Sequence, residues 1–465
     1  MYDNCSMSGT ERSEADLKRM LGNPRKAIAV MFIPLLAAMA VGQVNSFVDT
    51  FFTSGLGVAA SSGLSTAIPI YDIFIYIGIG MSVGATTTIA FRLGKNDREA
   101  ASRLASLTVK WSLVFSVASS VMVLLTTDLM IDLMGAGDVR EYCWEYMMPF
   151  IVLSPTIIVY ESIGGMLRGE GAAKKSTAIQ ISAAVLNMAL DPIFIYGLGL
   201  GLSGAALATC LAYAASMAVG FYWYRNGKTV VRLSMGKNTH GEGYSKELFE
   251  IAAPKTGEQL ITAATDIIQR LFLVIAGGTV AIMLYNLPWR YVSLINLPSM
   301  ALATAMIPVC AAAFGAHSLS KMKDGFRYTF KWSLIASVVL SAILFVFADY
   351  FAIIFTYEES MMEVRPQLIW TLRWFAIFIP ANCVRSYYTS ALQSMKRSKD
   401  AMYASLLWSI IKLALFGAVC QYGFEAIIYA LVFMNYFGIL INYALYRYAI
   451  KLTEKEIGRD VGSSE

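Results

Sequence analysis

Residues 27–48, Ala27-Ile-Ala-Val-Met-Phe-Ile-Pro-Leu-Leu-Ala-Ala-Met-Ala-Val-Gly-Gln-Val-Asn-Ser-Phe-Val48, contain no charged side chain, and the run ends at a carboxylate, Asp49. At 1.5 Å per residue a helix of this length reaches about 33 Å, enough to cross the hydrocarbon core of a bilayer. Lipid offers the backbone no hydrogen-bond partner, so such a segment crosses as a helix. Comparable stretches recur along the chain, twelve in all, centred near residues 38, 79, 118, 155, 187, 214, 264, 297, 341, 379, 411 and 438. The fold class read from this pattern is an all-α polytopic membrane protein with twelve transmembrane helices.

Composition agrees. Of 465 residues 57% are hydrophobic and 15% charged, and the mean hydropathy is +0.57, outside the range of soluble domains. Among 37 Lys and Arg, the loops expected on the outer side carry only Arg140 and Arg365. The positive-inside rule therefore predicts that both termini are cytoplasmic, in the plasma membrane. This topology accounts for the net charge of +5 without any nucleic acid. Residues 1–26 read as a retained cytoplasmic segment with no signal peptide. The cysteines show no CxxC spacing, so neither disulfides nor a cysteine metal site is expected. His240 and His317 fall in cytoplasmic loops, which leaves no histidine at the midplane.

The two halves of the chain repeat weakly. Pro34 corresponds to Pro254, and Ser154-Pro-Thr…Met-Leu-Arg-Gly-Glu-Gly to Ile379-Pro-Ala…Ala-Leu-Gln-Ser-Met-Lys. Six spans followed by six more in one orientation form a parallel repeat, an architecture that places substrate between two lobes and alternates access. The divisions expected are an N-lobe at 27–225, a cytoplasmic connection at 226–246, a C-lobe at 247–451 and a cytoplasmic tail at 452–465.

Ionisable groups at membrane depth cost roughly 2.5–3.5 kcal/mol each on insertion scales, so those that persist there are candidates for function. Asn187 and Asp191 are four positions apart and share a helix face, offering an amide oxygen and a carboxylate together. Thr209 on the next span can add a hydroxyl and Asp49 a second carboxylate. Hard cations such as Na+ are held by several oxygens, and a proton by a buried carboxylate. The alternative is that Asp49 and Asp191 cap span ends near water. Pro34 loosens its helix and gives the first span a place to bend, or a static kink. Asp72 and Glu161 are candidates for attracting a cationic substrate in the cavity. The C-lobe charges Glu258, Asp266, Arg270, Arg290, Arg373, Arg385 and Lys412 are harder to place, and so many basic groups sit uneasily with purely cationic substrates. Gly199-Leu-Gly-Leu-Ser-Gly204 matches a dinucleotide fingerprint but lies between membrane helices with no preceding strand, an accidental match. Gly80-x-x-x-Gly84 is expected to permit close helix approach.

Together Pro34…Asp49-Thr-x-Phe…Gly55-Leu-Gly, Arg92-Leu-Gly-Lys, Leu167-Arg-Gly-Glu-Gly, Asn187-x-x-x-Asp191-Pro-Ile-Phe-Ile and Gly204-Ala-Ala-Leu-Ala-Thr209 resemble the multidrug and toxic compound extrusion (MATE) family, from about Ala27 to Arg447. The set Asp49, Asn187, Asp191 and Thr209 is most similar to the DinF-like branch. The resemblance implies the two-lobed MATE fold, a Na+ or H+ site at those four positions, and bending at Pro34 linked to ion binding. It also implies export of organic cations and drug-like compounds in exchange for Na+ or H+. The expected protein is a secondary antiporter and not an enzyme. It acts as a monomer in the lipid bilayer, without cofactor beyond the coupling ion. A flippase of lipid-linked precursors from the wider superfamily is the rival within transport. A membrane-embedded enzyme is the rival outside it, and the short loops argue against that.

Overall fold

The structure is a computed structural model that describes residues 9–234, 242–356 and 359–462; His240 and part of the 226–246 connection lie outside the described residues. In chain order the helices are α1 (Gly9–Leu21), α2 (Pro24–Ser54), α3 (Val58–Gly94), α4 (Arg98–Leu133), α5 (Arg140–Gly169), α6 (Ala173–Pro192) and α7 (Gly201–Arg225). There follow α8 (Glu242–Gly315), α9 (Leu319–Val346), α10 (Ala348–Phe355), α11 (Glu359–Met362), α12 (Arg365–Ser394), α13 (Ser398–Val419) and α14 (Phe424–Gly462).

Ten helical segments among the described residues are long and apolar enough to cross a membrane. One of them, α8, runs 74 residues but leaves helical geometry at Gly277 (φ −175°, ψ 23°) and Gly278 (φ 65°, ψ −152°), which divides it into two spans. α12 is the twelfth, 30 residues long, with Arg365, Arg373 and Arg385 lowering its hydropathy. Counted this way, the described residues supply the twelve long helices expected.

Local chemistry sets the helix ends. Asn23 accepts from the Arg25 and Lys26 N–H groups at 3.0 and 3.3 Å ahead of Pro24 at the first turn of α2, and Asp97 caps α4 through Ala100 N–H at 3.0 Å. These side chains satisfy amides that the helix itself leaves unpaired. Glu145 accepts from Leu202 N–H at 2.9 Å at the start of α7, where a carboxylate also complements the helix dipole. Hydroxyls inside the apolar spans bond back one turn, as in Thr86 to Ser82 O and Thr108 to Leu104 O, both 2.8 Å, so that neither hydroxyl is left unpaired in apolar surroundings.

The chain divides into two compact units, Met1–Thr256 with Ala311–Ser318, and Gly257–Cys310 with Leu319–Glu465. The first has a core built on Phe74, Phe150, Ile157 and Ile158, with Tyr71 and Tyr146 packed among them. Gly80 and Gly84 of α3 face Ala252 and Thr256 of α8 so closely that a Cβ at either would collide, the close approach expected of that pair. The second has its own core around Phe375, Phe378, Phe416 and Leu431. The five described cysteines are free and buried.

Outside the spans, α1 is strapped to the first unit. Thr10 and Ser13 donate to the carbonyls of Gly227 and Lys228 at 2.9 and 2.6 Å, and Arg98 holds Glu14 with both its terminal nitrogens at 2.6 and 2.9 Å. Just beyond α5, buried Glu170 accepts from Val230 and Val231 N–H at 3.0 and 3.1 Å. Burial raises the Glu170 carboxyl to about 7, against the pull of those two amides and of Lys175.

Candidate functional site

Three helices of the first unit bring the oxygen-bearing residues together. On α6, Asn187 and Asp191 lie one turn apart, and Asn187 Nδ2 donates to Asp191 Oδ1 at 2.8 Å. The same nitrogen approaches Thr209 Oγ1 of α7 at 3.3 Å, while Thr209 donates to Ala205 O at 3.1 Å. From α2, Asn45 Nδ2 donates to Asn187 Oδ1 at 2.9 Å. Asp191 is fully buried and Asn187 nearly so. Asp49 is partly buried and lies close enough to Asp191 for their charges to interact.

α6 stops at Pro192, which cannot donate an amide, and the chain continues as a single π-helical turn over Ile193–Gly197. Wide turns of this kind are frequent beside functional sites because they re-aim side chains. Asp191 sits in the last turn before this change of pitch.

Two acceptors in the cluster are left over. Asp191 Oδ2 and Asn45 Oδ1 are buried without a hydrogen-bond partner. A buried acceptor without a donor is costly, and a carboxylate oxygen more so than an amide. The arrangement can therefore receive a proton on Asp191, or a hard cation among the Asp191, Asp49 and Thr209 oxygens. Exchange of O and N on the Asn187 amide, matched by the same exchange on Asn45 so that Asn45 Oδ1 accepts from Asn187 Nδ2 and the bond between the two amides is kept, would turn a fourth oxygen toward such a cation.

Asn45 escaped the sequence reading. The signal was available: it stands four positions before Asp49 on one helix, as Asn187 stands before Asp191, so two i, i+4 pairs approach each other from α2 and α6.

The MatE family model matches this chain twice, over residues 34–193 and 254–416, together well over half its length. The chain belongs to the MatE family of membrane transporters. Multidrug export protein MepA of Staphylococcus aureus is 22% identical over 410 residues, 88% of this chain and 90% of that protein. A MOP superfamily transporter from Pyrococcus furiosus superposes with a TM-score of 0.90 at 25% identity, covering 94% of this chain and 98% of that one. The outward-facing conformation of a multidrug resistance MATE family transporter gives the same TM-score, identity and coverage. The two matched segments begin at Pro34 and at Pro254, the prolines that the internal repeat pairs.

The remaining residues singled out from sequence lie elsewhere in this MatE chain. Pro34 is inside α2, which stays helical through it. On α3, Asp72 accepts from Tyr76 OH at 3.5 Å, the limit of a hydrogen bond. Glu161 of α5 lies in the field of Arg168, whose guanidinium donates to Ser82 and Ser176 at 2.7 and 3.1 Å. Sequence reasoning had missed this partner although it is two turns away on the same helix. Tyr160 and Tyr213 stack at 4.5 Å with 12° between their planes, and Tyr213 lies within electrostatic reach of both Glu161 and Asp49.

Proposed function

We propose that this MatE transporter exports drug-like organic compounds by alternating access in exchange for Na+ or H+. The ion is held in the N-lobe by Asp49, Asn187, Asp191 and Thr209, in the manner of the DinF-like branch. The observation that carries the reading is the fully buried Asp191 carboxylate, with one oxygen tied to Asn187, the other without a partner, and a second carboxylate in reach. Two carboxylates in one low-dielectric site repel each other unless a cation or proton lies between them. Binding of the ion removes that repulsion, and its release restores it. A site built this way has a strong energetic preference for being loaded, and α2 reports the load because Asn45 and Asp49 both belong to it. Pro34, about three turns before Asn45 on α2, is where that helix can change its bend. The two halves, 27–225 and 247–451, supply the moving parts, and the protein sits in the cell membrane with both termini in the cytoplasm.

Proteoliposomes with the Na+ and pH gradients imposed separately identify the coupling ion. Asp49→Asn and Asp191→Asn each nearly abolish gradient-driven efflux while leaving expression intact, and the double variant is little worse than either, because residues acting as a unit are not additive. Driven efflux near the wild-type rate in either single variant overturns the assignment.

A further inference from the structure

In the second unit, α12 and α13 place two cations against one indole. The Arg385 guanidinium carbon lies 4.3 Å from the centre of the Trp408 ring and Lys412 Nζ lies 4.9 Å from it. The ring is fixed on its own account. Trp408 Nε1 donates to Met434 O at 3.0 Å, and the indole lies flush against Gly438 of α14, where any Cβ would meet it. Cations at this range from an aromatic face gain from its quadrupole, but a ring does not neutralise two of them.

Counter-charge in the neighbourhood is thin. Lys412 is almost wholly buried, and Asp266 Oδ1 stands 3.8 Å from its Nζ, beyond hydrogen-bond length; that aspartate side chain is 57% exposed. Arg385 Nη2 reaches Asn382 Oδ1 only at 3.5 Å, and its buried Nε has no partner. Glu258, the other carboxylate in electrostatic reach of Arg385, has Oε2 engaged by Gln393 Nε2 at 3.1 Å. Arg270 adds a further positive charge beside Asp266. Three cations thus face two carboxylates, and the two cations on the ring have donor capacity to spare. A carboxylate meeting a guanidinium and an ammonium forms the charge-assisted hydrogen bonds that neither cation now makes in full.

We infer that Arg385, Lys412 and Trp408 form a binding site for the anionic group of a zwitterionic or acidic amphipathic substrate, with Asp266 as the internal anion that a substrate carboxylate displaces. This deepens the efflux reading, on which it rests, by naming the substrate class. It also gives the unequal lobes a division of labour: carboxylates for the ion in one, cations for the substrate in the other. Asp266 fits the displaced role because it stands beyond hydrogen-bond length from Lys412 and its side chain is more than half exposed, so that it can turn away without disturbing the packing around Lys412.

The test uses purified full-length protein and two dyes of one skeleton, rhodamine B with its free carboxylate and rhodamine B ethyl ester. Binding is read by fluorescence polarisation. Wild type binds the acid about tenfold or more tightly than the ester, as expected for a charge-assisted contact. Arg385→Gln and Lys412→Gln each remove that preference while still binding the ester, and Asp266→Asn widens it by removing the competing anion. A purely structural ion pair predicts the opposite for Asp266→Asn, a loss of thermal stability with no change in the ratio. Equal binding of the two dyes by wild type, no binding of the acid, or a preference that survives both cation substitutions overturns the inference. Should either cation variant fail to fold, the wild-type ratio and the Asp266→Asn shift decide it alone. Because the readout is binding, it stands apart from ion coupling: absent gradient-driven efflux with an intact acid preference would count against the antiport reading and not against this site.

Discussion

Asn45 and Asn187 form a short relay between α2 and α6 in which each amide fixes the other. Asn45 donates to Asn187 Oδ1, and Asn187 is thereby turned to donate to Asp191. Groups that orient a ligand are worth nearly as much as the ligand itself. Asn45→Ala is accordingly expected to raise the Na+ or proton concentration needed for half-maximal efflux by about tenfold or more, with the fold and expression retained. An unchanged ion dependence in the reconstituted variant would show that Asn187 is oriented without it. This residue was legible only in part. The i, i+4 spacing from Asp49 stands in the sequence, but nothing there says that the amide of α2 turns toward α6 and not toward lipid.

Two elements carry predictions of their own. α8 breaks at Gly278, whose φ of 65° with ψ of −152° is closed to residues with a Cβ. Nothing lies within 4 Å of the position a Cβ would take there, so the penalty is one of backbone and not of crowding. Gly278→Ala should lower the thermal midpoint in detergent, corresponding to about 1–3 kcal/mol, whereas Gly277→Ala, at an extended φ of −175°, carries no such backbone penalty and presses only on Ala281 Cβ at 3.0 Å, so it should cost less. Equal effects would mean that packing and not backbone geometry governs the break. The strap around Glu170 responds to pH. Its carboxyl titrates near 7 when folded, against a usual value of 4.5. Between those values the folded state holds a proton that the unfolded chain has given up. This contribution to stability is complete below about pH 4.5 and is lost as the pH rises through 7. From pH 6 to pH 8 the wild-type midpoint should therefore fall further than that of Glu170→Gln, measured by thermal unfolding at each pH. Parallel curves would remove Glu170 as the cause.

At the scale of the whole molecule the two halves share a repeat and diverge in chemistry. In the register that pairs Ser154 with Ile379, Asn187 maps onto Lys412 and Asp191 onto Phe416, and Phe416 is fully buried in the core of the second unit. Lys412 lies 5.6 Å from the Phe416 ring and close to Asp266, an internal pairing where the first half has its carboxylate site. An ammonium repels a bound cation, so the equivalent position in the second half should hold no Na+. In a direct ion-binding measurement, neutralising Asp49 and Asp191 should remove saturable binding altogether, while Lys412→Ala should leave it intact and change stability or substrate affinity instead. Residual saturable binding after both aspartates are neutralised would contradict the asymmetry.

Hydropathy and charge distribution determined the membrane class and the twelve spans, because burial in lipid forces long apolar helices whatever their neighbours do. Even α12, whose arginines depress its hydropathy, was legible as an apolar stretch centred near residue 379. The pairing of Asn187 with Asp191 was equally local, since side chains one helical turn apart face one way. What the sequence could not contain was the meeting of separate helices. Only the tertiary structure placed Asn45 on Asn187, left Asp191 Oδ2 without a donor, and gathered Arg385 and Lys412 on Trp408. Most of these depend on the rotation of one helix about its axis relative to another. That angle is decided by side-chain packing across the whole interface, as at Gly438 against Trp408, and not by the spacing of residues within either helix.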